Sequence, residues 1–321
     1  MPKVAVTDYS FPTLEVEEQI LAPLGVEIAS WKEKRPAAEL PQLVRDADYI
    51  ITQFAPLTAD VIATLERAKV IVRYGIGVDN VDLEAARAKN IPVCNIPDYC
   101  IDEVADQTLA FILAATRSVT ANSNAVHGGT WGLPVPLEQM RTLRDLHVGV
   151  VGFGRIGREV VKRLLAFKCR VLVYDPMVPA EQIASAGCEA RSLEELLSQS
   201  DVVTLHCPST AKTRGLINAD SIARMKPGVI LVNVARGDLV DSAALTSALA
   251  SGQISVAALD VFAPEPIPAD HPILKMQNVI LSAHIASASV KAVRTLRETA
   301  AQIVAKAIRG ERLPNVVNGV G

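Results

Sequence analysis

Three apolar runs in the second half of the chain each stop on a residue equipped for chemistry: LVNVAR on Arg236, VAALD on Asp260 and VILSAH on His284. Glu265 follows Asp260 closely in VFAPEP, where flanking prolines fix a turn rather than a helix. Open parallel sheets bind ligands at the carboxyl ends of their strands, so these ends are expected to face one crevice. The residue types suit hydride delivery to a 2-keto acid. Negative charge then develops on the carbonyl oxygen, and a positioned acid must protonate it; His titrates near neutral pH. An anionic substrate needs a bidentate cation, which Arg provides better than Lys. A carboxylate beside the His favours the imidazolium. His284 is therefore assigned as acid/base, Glu265 as its partner and Arg236 as the substrate clamp. Spacing alone leaves alternatives open. An Arg after a strand is often a surface ion-pair residue, and His206 also follows a strand and competes with His284. His147 starts a strand at its amino end, and His271 lies in the polar turn ADHP.

A hydride needs a donor, and LHVGVVGFGRIGREVVKRLLAFKCRVLVYDP, residues 146–176, is built to hold one. An apolar strand precedes Gly152, Gly154 and Gly157 in the order G-x-G-x-x-G, a helical pattern follows, and a second strand ends on Asp175. Gly152 makes the tight turn, Gly154 admits a pyrophosphate to the backbone, and Gly157 lets helix and strand pack. The helix start offers free N–H groups to the phosphates. Asp175 is placed to accept from a ribose 2′-OH and repels a 2′-phosphate, so the reading is NAD(H) rather than NADP(H). The plain alternative is a tightly packed turn that binds nothing. His206, Cys207 and Pro208 read as a loop passing beside the nucleotide, and Asp260 as an acceptor for the nicotinamide carboxamide.

The elements that must position these residues follow from the totals and the pattern. A length of 321 residues suggests two domains; half the residues are apolar and only 4% aromatic, an aliphatic core suited to buried parallel strands. Net charge is −3, which points to neither nucleic acid nor an anionic membrane. MPKVAVTDYS lacks the apolar core of a signal peptide, and no run of 18 apolar residues exists. Five cysteines without C-x-x-C spacing fit reduced thiols in a cytoplasm and give no metal signature.

Residues 1–99 alternate strand and helix patterns: strands at Lys3–Thr7, Asp48–Thr52, Lys69–Tyr74 and Ile91–Cys94, helices at Leu14–Leu24, Thr58–Ala68 and Asp82–Lys89. RYGIGVDNVD leaves the third of these strands; backbone N–H groups around Gly75 and Gly77 are suited to hold a carboxylate, or the segment is a plain glycine turn. Ile101–Arg117 is a periodic helix. Residues 121–145, with Gly128, Gly129, Trp131, Pro134 and Pro136, read as an irregular arm lying on a partner or crossing between domains, with His127 solvated. Strands are expected at 148–151, 171–174, 201–205, 229–233, 256–260 and 279–282, and a helix at 288–309. The nucleotide unit sits in mid-chain, so the first ~100 residues are expected to form the other wall of a cleft, with the last helix returning to it.

VGFGRIGREV…VYDP, DVVTLHCPST, MKPGVILVNVARGDLVD, ALDVFAPEPIP and the strand-end His284 together resemble the D-isomer-specific 2-hydroxyacid dehydrogenases over nearly the whole chain. YGIGVDNVD and NIPDYCIDEVADQTLAFILA look closest to the branch of D-3-phosphoglycerate dehydrogenases and C-terminal-binding-protein-like dehydrogenases. The resemblance implies an α/β fold of two doubly wound parallel-sheet domains. An NAD-binding Rossmann domain, 100–286, is inserted in a flavodoxin-like substrate domain, 1–99 plus 287–321. It implies Arg236, Glu265 and His284 as the catalytic set. It places Arg155 and Ile156 at the pyrophosphate and Asp175 at the adenosine ribose. Cys207, Val234, Ala235 and Asp260 would line the nicotinamide half, with Thr213 nearby, and Tyr74, Gly75, Ile76 and Gly77 would form the substrate loop. A homodimer through the cofactor domain is implied, and the corepressor relatives suggest an NAD(H)-sensing binding protein as the alternative. The chain departs from the family pattern at Ser282-Ala283, commonly Thr-Pro, and at Ile285-Ala286-Ser287-Ala288, where C-terminal-binding proteins carry a Trp. Glu265 stands where the family's formate dehydrogenases carry Gln, which favours a protonated His and keto-acid reduction. The chain stops at Gly321 without the regulatory domain of many phosphoglycerate dehydrogenases, so serine-type feedback is not expected.

Overall fold

The computed structural model describes residues 1–133 and 135–320. They divide into two compact units, Met1–Tyr99 with residues 289–320, and Cys100–Ala288. Each unit is a parallel sheet covered by helices on both faces. Among the described residues, no helix is long and apolar enough to cross a membrane.

In the first unit β1 (Lys3–Val6), β2 (Glu27–Ser30), β3 (Tyr49–Thr52), β4 (Val70–Arg73) and β5 (Val93–Cys94) lie in the order β2-β1-β3-β4-β5, all parallel. YIIT and VIVR are buried at every position, as central strands covered on both faces must be. One face packs against the helices Glu15–Leu21 and Val290–Arg309 through Leu21, Leu296, Ala300 and Val304. The other packs against Leu43, Val61, Ile62 and Ala86 of three shorter helices. Ser289 caps the long helix by accepting the Ala292 N–H at 2.9 Å, and Gly310, at φ 69°, ends it.

A buried ion pair fastens that helix to the helix Glu15–Leu21. Arg297 donates through Nη2 to Glu17 Oε2 at 2.6 Å and through Nε to Oε1 at 2.9 Å, and Glu17 is fully buried. The Tyr74 hydroxyl donates to Glu17 Oε1 at 2.9 Å, and the guanidinium lies 4.9 Å from the centre of the Phe11 ring.

In the second unit β6 (His147–Val151), β7 (Arg170–Tyr174), β8 (Glu189–Ala190), β9 (Val202–Leu205), β10 (Val229–Asn233), β11 (Ile254–Leu259) and β12 (Val279–Leu281) form one parallel sheet. Its order is β12-β11-β10-β9-β6-β7-β8, so the direction of winding reverses between β6 and β9. That reversal opens a crevice at the carboxyl ends of these two strands. The helix Ile101–Thr116 packs on the helix Arg155–Ala166, where Arg163 reaches Asp102 at 2.8 Å and Asp106 at 2.7 Å.

The structure corrects the element reading in three places. β2 and β8 had no counterpart in the sequence; both are edge strands, short and partly exposed, so neither carries a continuous apolar run. The segment 121–145 is not wholly irregular: Val119–His127 is a helix, set off from the preceding one by Ser118 at φ 50°, and Leu137–Gln139 and Leu143–Asp145 are single 3₁₀ turns. Pro134 of that segment lies outside the described residues. The helix expected at Thr58–Ala68 is only Ala59–Ala63, capped by Thr58.

Removing one member of a buried pair leaves the other charge stranded. Glu17→Ala is expected to cost the first unit about 3–5 kcal/mol. The check is urea unfolding followed by fluorescence of Trp31, which lies in that unit. A midpoint equal to wild type would refute the structural role of the pair.

Candidate active site

The second unit gathers the residues at the carboxyl ends of β6, β9, β10, β11 and β12. At β6 the glycines are held to the roles their spacing suggested. A Cβ on Gly157 would meet Gly152 O at 2.1 Å, and one on Gly152, at φ 102°, would meet the His206 backbone at 2.7 Å. These two positions are closed to any side chain, which brings the β6 turn, the helix and the β9 loop together. Gly154, in contrast, faces open space at the start of the helix Arg155–Ala166. Arg155 is exposed and Ile156 half-buried there. An uncovered backbone at a helix N-terminus fits a pyrophosphate.

Asp175 ends β7 beside this turn. Its Oδ2 accepts the Phe153 N–H at 2.7 Å and its Oδ1 the Met177 N–H at 2.8 Å. The carboxylate therefore holds the glycine turn from the neighbouring strand. Each oxygen keeps a further lone pair for a ribose hydroxyl.

The β9 loop separates the two candidate histidines. His206 Nε2 lies 2.9 Å from Thr204 Oγ1, and burial pushes its pKa down to about 3. Near neutral pH it is uncharged and cannot serve as an imidazolium donor. Cys207 is half-buried, and burial pushes its thiol up to about 11, so it stays protonated. Pro208 and Thr213 close the loop on themselves: the Thr213 hydroxyl donates to Pro208 O at 2.6 Å and accepts the Thr210 N–H at 2.8 Å.

His284 has the partner that His206 lacks. Its Nδ1 lies 2.8 Å from Glu265 Oε2, and Glu265 Oε1 accepts the Phe262 N–H at 2.8 Å. Burial works to raise the Glu265 carboxyl, but the His284 hydrogen bond and charge, the Phe262 N–H and the Arg236 charge outweigh it and hold it below the ordinary range. An ionised carboxylate can only accept, so Nδ1 carries a proton. His284 itself sits at φ 54°, a left-handed conformation uncommon for His.

Asp260 explains how that conformation is kept. It is fully buried. Its Oδ1 accepts the Ser282 hydroxyl and the Ile285 N–H at 2.9 Å, its Oδ2 the Ala286 N–H at 2.9 Å, and its backbone O the His284 N–H at 2.7 Å. The carboxylate thus grips the loop that carries His284, a structural role that the sequence reading of Asp260 as a carboxamide acceptor did not include.

Arg236 is positioned by two features that sequence reasoning passed over. Buried Asn233, the one polar residue of VILVN, donates from Nδ2 to Arg236 O at 2.8 Å and accepts the Ala235 N–H at 3.0 Å, capping the turn that contains buried Val234. A Cβ on Gly237 would meet Phe262 C at 2.0 Å, so this turn lies directly against the loop carrying Glu265. The Arg236 guanidinium donates to Ala235 O at 2.7 Å.

The first unit presents its own strand-end loop. Gly75 O accepts the Ile96 N–H at 2.9 Å and Ile76 O the Asn95 side chain at 2.7 Å. The N–H groups of Ile76, Gly77 and Val78 find no acceptor among the described residues. Successive unengaged amides of this kind suit a carboxylate. Tyr74 requires correction: it is 1% exposed, with its hydroxyl on Glu17, so it belongs to the core beneath the loop rather than to the ligand face.

Comparison with known proteins accords with this geometry. Residues 109–286 match the family model described as D-isomer specific 2-hydroxyacid dehydrogenase, NAD binding domain. A D-3-phosphoglycerate dehydrogenase of Methanocaldococcus jannaschii is 40% identical over 99% of the chain, which spans 60% of that relative's length. A glyoxylate reductase of Korarchaeum cryptofilum is 36% identical over 96% of the chain and 95% of its own length. The solved D-lactate dehydrogenase of Aquifex aeolicus, complexed with NAD and lactic acid, superposes with a TM-score of 0.86 at 33% identity, covering 96% of each chain. The chain belongs to the D-isomer specific 2-hydroxyacid dehydrogenase family, and its second unit carries that family's NAD-binding domain.

Proposed function

We propose that the chain catalyses NAD(H)-dependent interconversion of a small 2-keto acid and its D-2-hydroxy acid, of the glyoxylate, hydroxypyruvate or 3-phosphoglycerate type, in the cytoplasm. The His284–Glu265 pair at 2.8 Å, with the Arg236 turn packed against the Glu265 loop, carries this reading. Bound NADH supplies the hydride. Glu265 holds Nδ1–H of His284, which leaves proton transfer to Nε2. With Nδ1–H held by Glu265, Nε2 of His284 is the atom that hands a proton to the developing alkoxide. Arg236 neutralises the carboxylate and the growing charge. Asp175 favours a ribose diol over a 2′-phosphate. The NAD(H)-sensing alternative gains no support, since the relatives described above carry enzyme names.

We further propose that the segment 119–140 seats a second copy of the chain. Val119, Val126, Trp131, Leu133 and Leu137 are all exposed there, Trp131 at 91%. Five large apolar side chains exposed on one stretch of chain favour a contact surface over apolar residues scattered singly.

His284→Ala is expected to lower kcat about 10²–10⁴-fold. NADH affinity, read by fluorescence titration, should stay near wild type, and unchanged turnover would refute the assignment. Glu265→Gln keeps the shape and removes the charged acceptor for Nδ1–H of His284, so kcat for keto-acid reduction should fall about 10–100-fold, the scale of one charge-assisted hydrogen bond. In wild type the pair persists through mildly acidic pH, because the depressed Glu265 carboxyl is protonated only below the ordinary carboxylate range. For the proposed dimer, Trp131→Glu combined with Leu137→Glu should convert a dimer to monomer in sedimentation velocity. A wild-type chain that sediments as a monomer would rule the interface out.

A further inference from the structure

The turn that presents Arg236 and the loop after β9 run side by side within the second unit. Ile217 and Val240 form a parallel bridge between them: the Ile217 N–H donates to Leu239 O at 2.9 Å and the Asp241 N–H to Ile217 O at 2.7 Å. Closer to Arg236 in the chain, the Gly215 N–H donates to Asp238 O at 2.8 Å. Side chains make a further crossing. Asp238 Oδ2 accepts the Ser209 hydroxyl at 2.6 Å and lies 3.3 Å from Arg214 Nε. Asp238 Oδ1 is buried and meets no donor among the described residues.

The turn depends on such outside support. Gly237–Leu239 is a single 3₁₀ turn, and its own bonds, Leu239 N–H to Arg236 O at 3.3 Å and Val240 N–H to Gly237 O at 3.2 Å, are long. Gly237 brings no side chain to pack. Asp238 is the polar side chain of the turn, two positions after Arg236. A carboxylate oxygen buried without a donor disfavours its own placement, so the bonds at Oδ2 must hold it. The Arg214 side chain is 62% exposed, and an exposed pair adds little. The Ser209 bond joins a hydroxyl to a charge over a short distance and is the stronger of the two. Ser209 in turn stands on a closed segment, because Thr213 ties the loop back to Pro208 and Thr210.

We propose that Asp238 is a positioning residue: tied to Ser209, it fixes the turn that aims Arg236, so that the substrate clamp and the loop after β9 move as one body. The inference rests on the preceding reading that Arg236 takes the substrate carboxylate. With the tie in place the Arg236 backbone is held on both sides in the chain, by Asn233 at its carbonyl and by the Ser209–Asp238 bond two residues on. Without the tie the turn keeps its course through the backbone bonds to Gly215 and Ile217, but it loses the side-chain brace beside Arg236.

The test follows NADH oxidation by the full chain at saturating NADH. The substrate is whichever of glyoxylate, pyruvate, hydroxypyruvate and 3-phosphohydroxypyruvate wild type reduces fastest. Ser209→Ala is expected to lower kcat/KM for that acid about tenfold, the scale of one charge-assisted hydrogen bond, with NADH affinity by fluorescence titration near wild type. Asp238→Ala should lower it at least as far. The double variant should fall no further than Asp238→Ala, since both changes remove the same bond. Ser209→Thr keeps the hydroxyl and should restore the wild-type value. A lower melting temperature in Ser209→Ala with kcat/KM unchanged would reduce the bond to a structural one and overturn the proposal. Losses that add in the double variant would overturn it too, as would a loss confined to NADH affinity; each of these leaves the dehydrogenase reading standing. Failure of wild type to reduce any of the four acids, with NADH still bound, would overturn that reading and this inference with it.

Discussion

The chemistry of the second unit depends on one buried carboxylate. Asp260 is cut off from solvent, and its oxygens are filled by a hydroxyl and two backbone amides of the loop after β12. Burial of a charge is tolerated only when such bonds replace the lost water. Those bonds also force the loop into one shape, and that shape includes the left-handed backbone of His284. The imidazole can then meet Glu265, which reaches it from the loop after β11. A carboxylate at the end of one strand thus sets the geometry at the end of the next.

The first unit repeats the device with different parts. Asp8 binds three amides of the loop after β3, and Glu17 takes a hydroxyl from the end of β4 and a guanidinium from the long helix. In both units the strands are aliphatic and interchangeable in chemistry. Rigidity at their carboxyl ends comes from buried acids that accept from backbone or from neighbouring side chains. The catalytic candidates stay partly exposed, and the groups that hold them do not.

Much of this was legible in the sequence, for identifiable reasons. Central strands such as VIVR and VILVN open on apolar runs, so the polar residue at which each run stops marks the sheet edge. The G-x-G-x-x-G turn was legible because close approach excludes every side chain at Gly152 and Gly157. What escaped depends on partners distant in the chain. Tyr74 looks like a lining residue until Glu17 claims its hydroxyl. Asp260 shows its grip on the loop after β12 only once the turn at residues 282–286 folds over it. Asn233 and Asp8 differ from their neighbours only in being polar at a strand end, a signal that does not say which backbone they will bind. β2 and β8 lie at sheet edges, where half-burial erases the pattern.

The ion pair of Arg297 with Glu17 joins residues 280 positions apart. The tail extends the same closure, since Asn318 accepts the N–H of Val93 and donates to Ile91 O beside β5. The second unit is contiguous in the chain and holds every strand of its own sheet. Synthesis from the amino end therefore delivers the two cores in an order opposite to their order of appearance. The nucleotide-binding unit can complete its core as soon as Ala288 has left the ribosome. The first unit, although its strands emerge earlier, waits for the last helix with an apolar face uncovered. In the newborn chain, that face is where aggregation and chaperone capture would begin.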